Sequence, residues 1–245
     1  TAFLKAHFPV AYMAALLSVN SGSTDKMQRY ISNCYSMGID VISPSINLSG
    51  TDFTIKDNQI LFGLSAIKNL GDSAIRNIIN NRNEFGSFKS LSDLCDRLPV
   101  NVLNKRNLES LIHCGALDEF SEDKNRAQLL SDIESVVDWA SSRNKDRLSG
   151  QGNLFDLDST SENLELSLGN KSKVDDYSLI EKLRLEKQLL GFYLSDHPLK
   201  HLSTPAKLIS PISICNLEEF KDRSKVSLVG MIPELRQITT KKGDR

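Results

Sequence analysis

The chain has only four cysteines in 245 residues, Cys34, Cys95, Cys114 and Cys215, and no two of them form a CxxC pair. This spacing excludes a zinc ribbon and a disulfide framework. It leaves small buried hydrophobes in a reducing cytosol. Long hydrophobic runs are missing as well: nothing approaches the ~18 apolar residues of a membrane span, and no signal peptide is expected. An excess of one charge sign is also lacking, with a net charge of −1. Any surface for nucleic acid must therefore be local. There is no P-loop, GxSxG or HExxH. His197 and His201 stand four apart in "DHPLKH", but Pro198 breaks the helix that would align them. Asp175-Asp176 reads as solvated. No constellation here carries chemistry by itself, and no cofactor is expected in this chain.

What is present is ordinary for a soluble globular protein, with 40% apolar and 25% charged residues. The length exceeds one typical domain. Both ends read as cut. Thr1 opens directly into "TAFLKAHFPVAYMAALLS", and the chain stops at "KKGDR", where a hairpin turn begins. A piece of something longer is expected.

Residues 2–19 read as a helix that Pro9 kinks or divides. Ser23 or Thr24 caps the next one, and Gly38 closes it at C′. "IDVISPSIN" is short and β-like. "DFTIKDNQILFGL" reads as a hairpin turning at Asp57-Asn58. Short helices and tight turns fill 64–120. A longer helix spans 125–143. Residues 144–176, rich in Ser, Asn, Asp and Gly, read as linker. "YSLIEKLRLEKQLLGFYLSDHPL" reads as an amphipathic helix ending before Pro198. "KVSLVGMIPELRQITTKKGD" alternates like a strand, which needs a sheet beyond Arg245.

Two stretches carry functional content. In "AIKNLGDSAIRNII" a short helix, a turn at Asn69-Leu70-Gly71 and a second helix from Asp72 form a helix-hairpin-helix unit. Gly71 permits unusual backbone geometry and a close approach to a ligand. The free N–H groups at Asp72 and Ser73 form an anion site that Lys68 and Arg76 flank. A second, more degenerate unit follows: "SLSDLCDRL", a turn, and "NKRNLESLIHCG", with Asn104 as N-cap and Gly115 as stop. Lys105 and Arg106 lie in its first turn, against the helix dipole, which makes sense if a phosphate sits there. From Lys68 to Arg106 there are seven bases and four acids. The DNA-binding residues expected are thus Lys68, Asn69, Leu70, Gly71, Asp72, Ser73, Arg76, Asn104, Lys105 and Arg106. The second stretch is "GQGNLFD". Leu154 and Phe155 stand exposed in a polar linker, and Gln151 can hydrogen-bond at the rim of a pocket that receives them. The pattern fits a weak peptide tether, of roughly micromolar affinity, to a partner protein.

In this order, "TAFLKAHFPVAYMAALLS", "ILFGLSAIKNLGDSAI", "LNKRNLESLIHCGALD", "SGQGNLFD", "EKLRLEKQLLGFYLSDHPL" and "TKKGDR" resemble the bacterial DNA polymerase III alpha subunits, the C-family replicative polymerases. The resemblance spans nearly the whole chain and implies a mainly α layout. Residues 1–62 would be the end of the fingers, with a small hairpin. Residues 63–143 would be a tandem helix-hairpin-helix domain that contacts duplex DNA, together with the helix that follows it. Residues 144–176 would be a linker holding the sliding-clamp motif at Gln151, Leu154 and Phe155. Residues 177–204 would be a connecting helix, and 205–245 the first strands of a truncated OB-fold. The family's palm aspartates, with their Mg²⁺, would lie upstream of Thr1. The parent would then be a DNA-directed DNA polymerase, a nucleotidyltransferase of the cytoplasm, and this stretch inactive alone. Other subunits of the polymerase III holoenzyme are implied as partners, and no membrane. Asn69 stands where many such turns have Gly, which bears on the first phosphate site. Two rivals are a stand-alone helix-hairpin-helix accessory module of repair or recombination, and a helical domain that binds only protein.

Overall fold

The computed structural model describes residues 1–98, 101–120, 125–149 and 174–196, and, between 198 and 230, all but 200, 201, 211, 213–216, 218, 222 and 223. Two compact units result, Thr1–Ser195 and Asp196–Arg245. The described residues are mainly α-helical.

Pro9 divides the first helical pattern rather than kinking it. Helix α1 (Ala2–His7) ends at Phe8, and α2 (Pro9–Val19) starts with Pro9 at its first position, where its missing N–H costs nothing. Helix α3 (Thr24–Ser36) has Ser23 as N-cap residue and closes on Gly38, whose φ is 71°. Strands β1 (Val41–Ile42), β2 (Thr54–Lys56) and β3 (Gln59–Leu61) form a small sheet in the order β1-β3-β2. β1 runs parallel to β3, with Val41 opposite Ile60. β2 and β3 form the expected hairpin. Asp57 and Asn58 both take positive φ, 50° and 63°, as a two-residue turn between right-twisted strands requires.

The hairpin region follows. A single 3₁₀ turn (Leu64–Ala66) leads through Ile67–Gly71 into α4 (Asp72–Phe85). Helix α5 (Leu91–Arg97) is capped by Ser90, which accepts the Asp93 N–H at 3.2 Å. Helix α6 (Lys105–His113) starts at Asn104 and stops before Gly115, at φ 84°. Helix α7 (Arg126–Ser149) packs on α5 and α6. One buried core runs from Met13 through Leu17, Phe62, Leu64, Ile75, Leu94, Leu111 and Ile133 to Leu194. It serves the N-terminal helices, the sheet and both hairpins together.

Two helix ends differ from the sequence reading. α7 continues six residues past 143 into the expected linker, because Arg143 and Arg147, one turn apart, both reach Asp96 of α5 at 3.7 and 2.9 Å. At the far side of that linker Val174 docks back on the start of α7: its N–H donates to Gln128 Oε1 at 2.9 Å, and its carbonyl accepts Asn125 Nδ2 at 2.8 Å. Helix α8 (Leu179–Leu190) ends at Gly191, well before Pro198. Gly191 takes φ 90° with Thr24 against it, so neither the backbone nor the space admits a side chain. α8 begins in a reciprocal capping box between Ser178 and Glu181.

In the second unit, α9 (Ser203–Ile209) is followed by residues 224–230 without regular secondary structure. Residues 231–245, where most of the expected OB-fold strand falls, lie outside the described residues, as do His197 and His201. Among the described residues no helix is long and apolar enough to cross a membrane.

Candidate nucleic-acid interface

The first hairpin turn takes its shape from Asn69. Its φ is 67°, the left-handed region, where Asn is among the few side chains tolerated. Gly71 has an extended φ of −82°, so its role is not conformational freedom. A methyl group built on Gly71 would meet nothing within 4 Å. The backbone there faces open space that a ligand could enter. Leu70 anchors the turn from beneath, at 8% exposure. Helix α4 starts with no side-chain cap, so the N–H groups of Asp72 and Ser73 keep their donors. The Asp72 carboxylate lies in the same first turn. It favours the helix dipole and competes with any anion that arrives.

The second unit is built differently. Asn104 and Asn107 form a capping box: the Asn107 N–H donates to Asn104 Oδ1 at 3.0 Å, and the Asn104 N–H donates to Asn107 Oδ1 at 3.0 Å. This closes two donors at the α6 N-terminus, those of Asn104 and Asn107, and leaves those of Lys105 and Arg106.

The two turns meet. Asn107 Nδ2 donates to the Asn69 carbonyl at 2.5 Å, and Asn69 Nδ2 donates to Ser110 Oγ at 3.3 Å. The starts of α4 and α6 are therefore held beside each other. Asn107 and Ser110 escaped the sequence reading. The signal was there in the first: an Asn three residues after an N-cap Asn is capping-box spacing.

The basic residues divide into two groups. The Lys68 backbone N–H donates to the Leu189 carbonyl at 3.3 Å, and its Nζ to the Gln188 carbonyl at 3.2 Å. It thus caps the C-terminal end of α8, where a cation is favoured. Lys105 pairs with Glu134 of α7 at 2.5 Å, which raises the lysine's pKa and lowers the glutamate's. Arg82 holds the carbonyls of Ile46 and Ser49 at 2.7 and 2.6 Å. Arg97 holds Asn81, Gly86 and Asp93. Arg76 and Arg106 are exposed and have no ion pair among the described residues. These two are the cations left available beside the helix starts.

Cys34, Cys95 and Cys114 are buried, and desolvation raises their thiols to about 11, 12 and 12. Such thiols are not nucleophiles at neutral pH. Cys215 lies outside the described residues. No group of His, Cys, Asp or Glu among the described residues is arranged to hold a metal ion. Gln151, Leu154 and Phe155 also lie outside the described residues.

His113, in the last turn of α6, is half-buried with Nδ1 unpartnered. Desolvation first, and Arg126 in addition, lower its pKa despite Glu109. The folded state therefore resists protonation that the unfolded chain accepts. Stability is expected to be full above the ordinary value of 6.5 and to fall as pH drops through it. Urea midpoints measured between pH 7.5 and 5.5 should decline, and the decline should flatten in His113→Gln.

A family model described as a helix-hairpin-helix motif matches residues 38–129. The chain is 41% identical to a DNA polymerase III subunit alpha of Thermus aquaticus over 99% of its own length and 19% of the relative's. It is 39% identical to the Deinococcus radiodurans protein of that name, over 99% and 18%. For Pseudomonas aeruginosa the identity is 34%, over 100% and 22%. The chain thus spans about a fifth of the length of these relatives. With a helix-hairpin-helix match at its centre and polymerase similarity from end to end, the sequence belongs, over the stretch it covers, to the DNA polymerase III alpha subunits.

Proposed function

We propose that this chain is a non-catalytic portion of a replicative DNA-directed DNA polymerase that grips duplex DNA by its backbone and tethers the enzyme to a sliding clamp. The observation that carries the DNA part is the Asn69–Asn107 junction, which sets two helix starts side by side with Arg76 and Arg106 exposed. One phosphate would sit at the amides of Asp72 and Ser73, with Gly71 giving clearance. A second would sit at Lys105 and Arg106. Neither contact reads a base, as suits an enzyme that must travel over any sequence. Lys68 and Lys105 would strengthen the field without first leaving their protein partners.

The clamp part rests on the Gln151, Leu154 and Phe155 pattern between the end of α7 and Val174. Burying Leu and Phe contributes about 1.5–3 kcal/mol each, and ordering the segment offsets several. A weak tether suffices when a ring and a backbone grip hold the same duplex. Polymerase chemistry, its Mg²⁺ and the other holoenzyme contacts belong in this reading to the rest of the parent protein. End-to-end similarity to polymerase subunits favours it over a stand-alone repair or recombination module.

The test is titration of the full chain with a short blunt duplex at several salt concentrations, followed by calorimetry with a bacterial sliding clamp. Duplex affinity should fall as salt rises. Clamp binding of roughly micromolar strength should vanish in Leu154→Ala/Phe155→Ala. Binding to the clamp but never to duplex would leave a purely protein-binding domain.

A further inference from the structure

One side chain serves both hairpins at once. Asn107 is 7% exposed. Its Oδ1 accepts the Asn104 N–H and so closes the start of α6, while its Nδ2 donates to the Asn69 carbonyl in the turn before α4. One turn along α6, Ser110 Oγ accepts from Asn69 Nδ2. Neighbouring residues on one face of α6 thus clip the first turn in place, and that turn is already in the strained left-handed conformation at Asn69.

We infer that Asn107 is a positioning residue that sets the register between the two backbone-phosphate sites, so that they hold one duplex as a bivalent grip. The inference rests on the DNA-binding reading above. Each helix start alone is a weak anion site: Asp72 opposes an anion at the first, and a capping box occupies part of the second. Two weak sites at fixed spacing make the second contact intramolecular. The same two sites on a loose joint lose that gain. The amide accepts from one turn through its oxygen and donates to the other through its nitrogen.

Asn107→Asp separates the two roles. The carboxylate still accepts the Asn104 N–H and favours the helix dipole, but it cannot donate to the Asn69 carbonyl. Duplex affinity would be measured by fluorescence anisotropy for the full chain, with Arg76→Ala and Arg106→Ala introduced singly and together, in both backgrounds. With Asn107 intact, each single arginine change should weaken binding about tenfold. In the Asn107→Asp background the grip becomes monovalent: overall affinity drops, the salt slope shrinks, and either arginine change alone costs no more than about twofold, because the other site still binds. A simple electrostatic penalty from the new charge would lower affinity in every variant equally, leave each arginine's tenfold effect intact and overturn the inference. Unchanged affinity would overturn it too. Asn69→Gly, which keeps the turn conformation, removes the Ser110 clip and adds no charge, should move in the same direction by a smaller amount. It decides the question if Asn107→Asp fails to give a cooperative thermal transition. If the chain with Asn107 intact binds no duplex, the DNA-binding reading itself fails.

Discussion

Replacing Arg76 and Arg106 together by alanine should weaken duplex binding by roughly a hundredfold at moderate salt and reduce the salt slope by about two. The reason lies in what the other bases are doing. Arg82 and Arg97 are committed to carbonyls and side chains of the fold, and Lys105 to Glu134. Lys68 caps α8. A phosphate that arrives at the helix starts meets Arg76 and Arg106 as the exposed cations that have no ion pair to exchange among the described residues. The contrast within the same experiment is Lys68→Ala. Its main effect should be on stability, about 0.3–1 kcal/mol for a lost cation at a helix C-terminus, with little change in the salt slope. If Lys68→Ala removed as much affinity as the arginine pair, the division between structural and DNA-facing bases would be wrong. Both variants should keep the far-ultraviolet signature of the parent chain, since neither arginine is buried.

The largest stability effect is expected at Glu186. This carboxylate is 1% exposed and sits on the buried face of α8. Its Oε1 accepts the backbone N–H groups of Leu194 and Ser195, the second at 2.8 Å, and its Oε2 accepts the Ser195 hydroxyl at 2.6 Å. The Arg126 guanidinium lies close enough to interact with it. Together these bonds fold the chain back after Gly191, so that Phe192 and Leu194 enter the core and the Leu194 carbonyl meets Tyr35 Oη at 3.3 Å. Glu186→Ala leaves two backbone donors without acceptors in a dry site, at about 1–3 kcal/mol each. A loss of about 3–5 kcal/mol is expected, read as a fall in the urea midpoint at unchanged slope. Glu186→Gln keeps one oxygen for both backbone donors and presents an N–H₂ to a hydroxyl that can rotate to accept it. Its loss should be less than half as large. Equal losses for the two would mean that the charge, not the acceptor geometry, holds the turn.

Much of the local structure was legible because its causes lie within a few residues. Asp57-Asn58 between two alternating runs specified the hairpin. Asn104 before "KRNL" specified the start of α6, and Gly38 and Gly115 specified two helix stops. Each is a matter of dihedral preference or a cap, and none needs a distant partner. The helix-hairpin-helix pattern was legible for the same reason, as was the resemblance carried by motifs in order. The ends of α7 and α8 were misplaced. In α7 the deciding contact is Asp96, some fifty positions away in the chain. In α8 a glycine outranked a proline seven residues later.

The candidate site divides along the same line. From the sequence alone, Lys68, Arg76, Lys105 and Arg106 were equivalent cations beside two turns, and Gly71 was the residue expected to bend the first of them. Composition and spacing determined that two uncapped or partly capped helix starts exist, that basic residues flank them, and that Leu154 and Phe155 lie in a polar stretch. Tertiary structure decided which cations are free, because the carbonyls and carboxylates that occupy the others come from residues 29 to 120 positions away. It also decided that Asn69 bends the turn while Gly71 only clears space, and that Asn107 joins the two units. A hydrogen bond from a side-chain amide on α6 to a backbone carbonyl in a turn 38 residues earlier leaves no periodicity in the chain, so only the packed fold could show it.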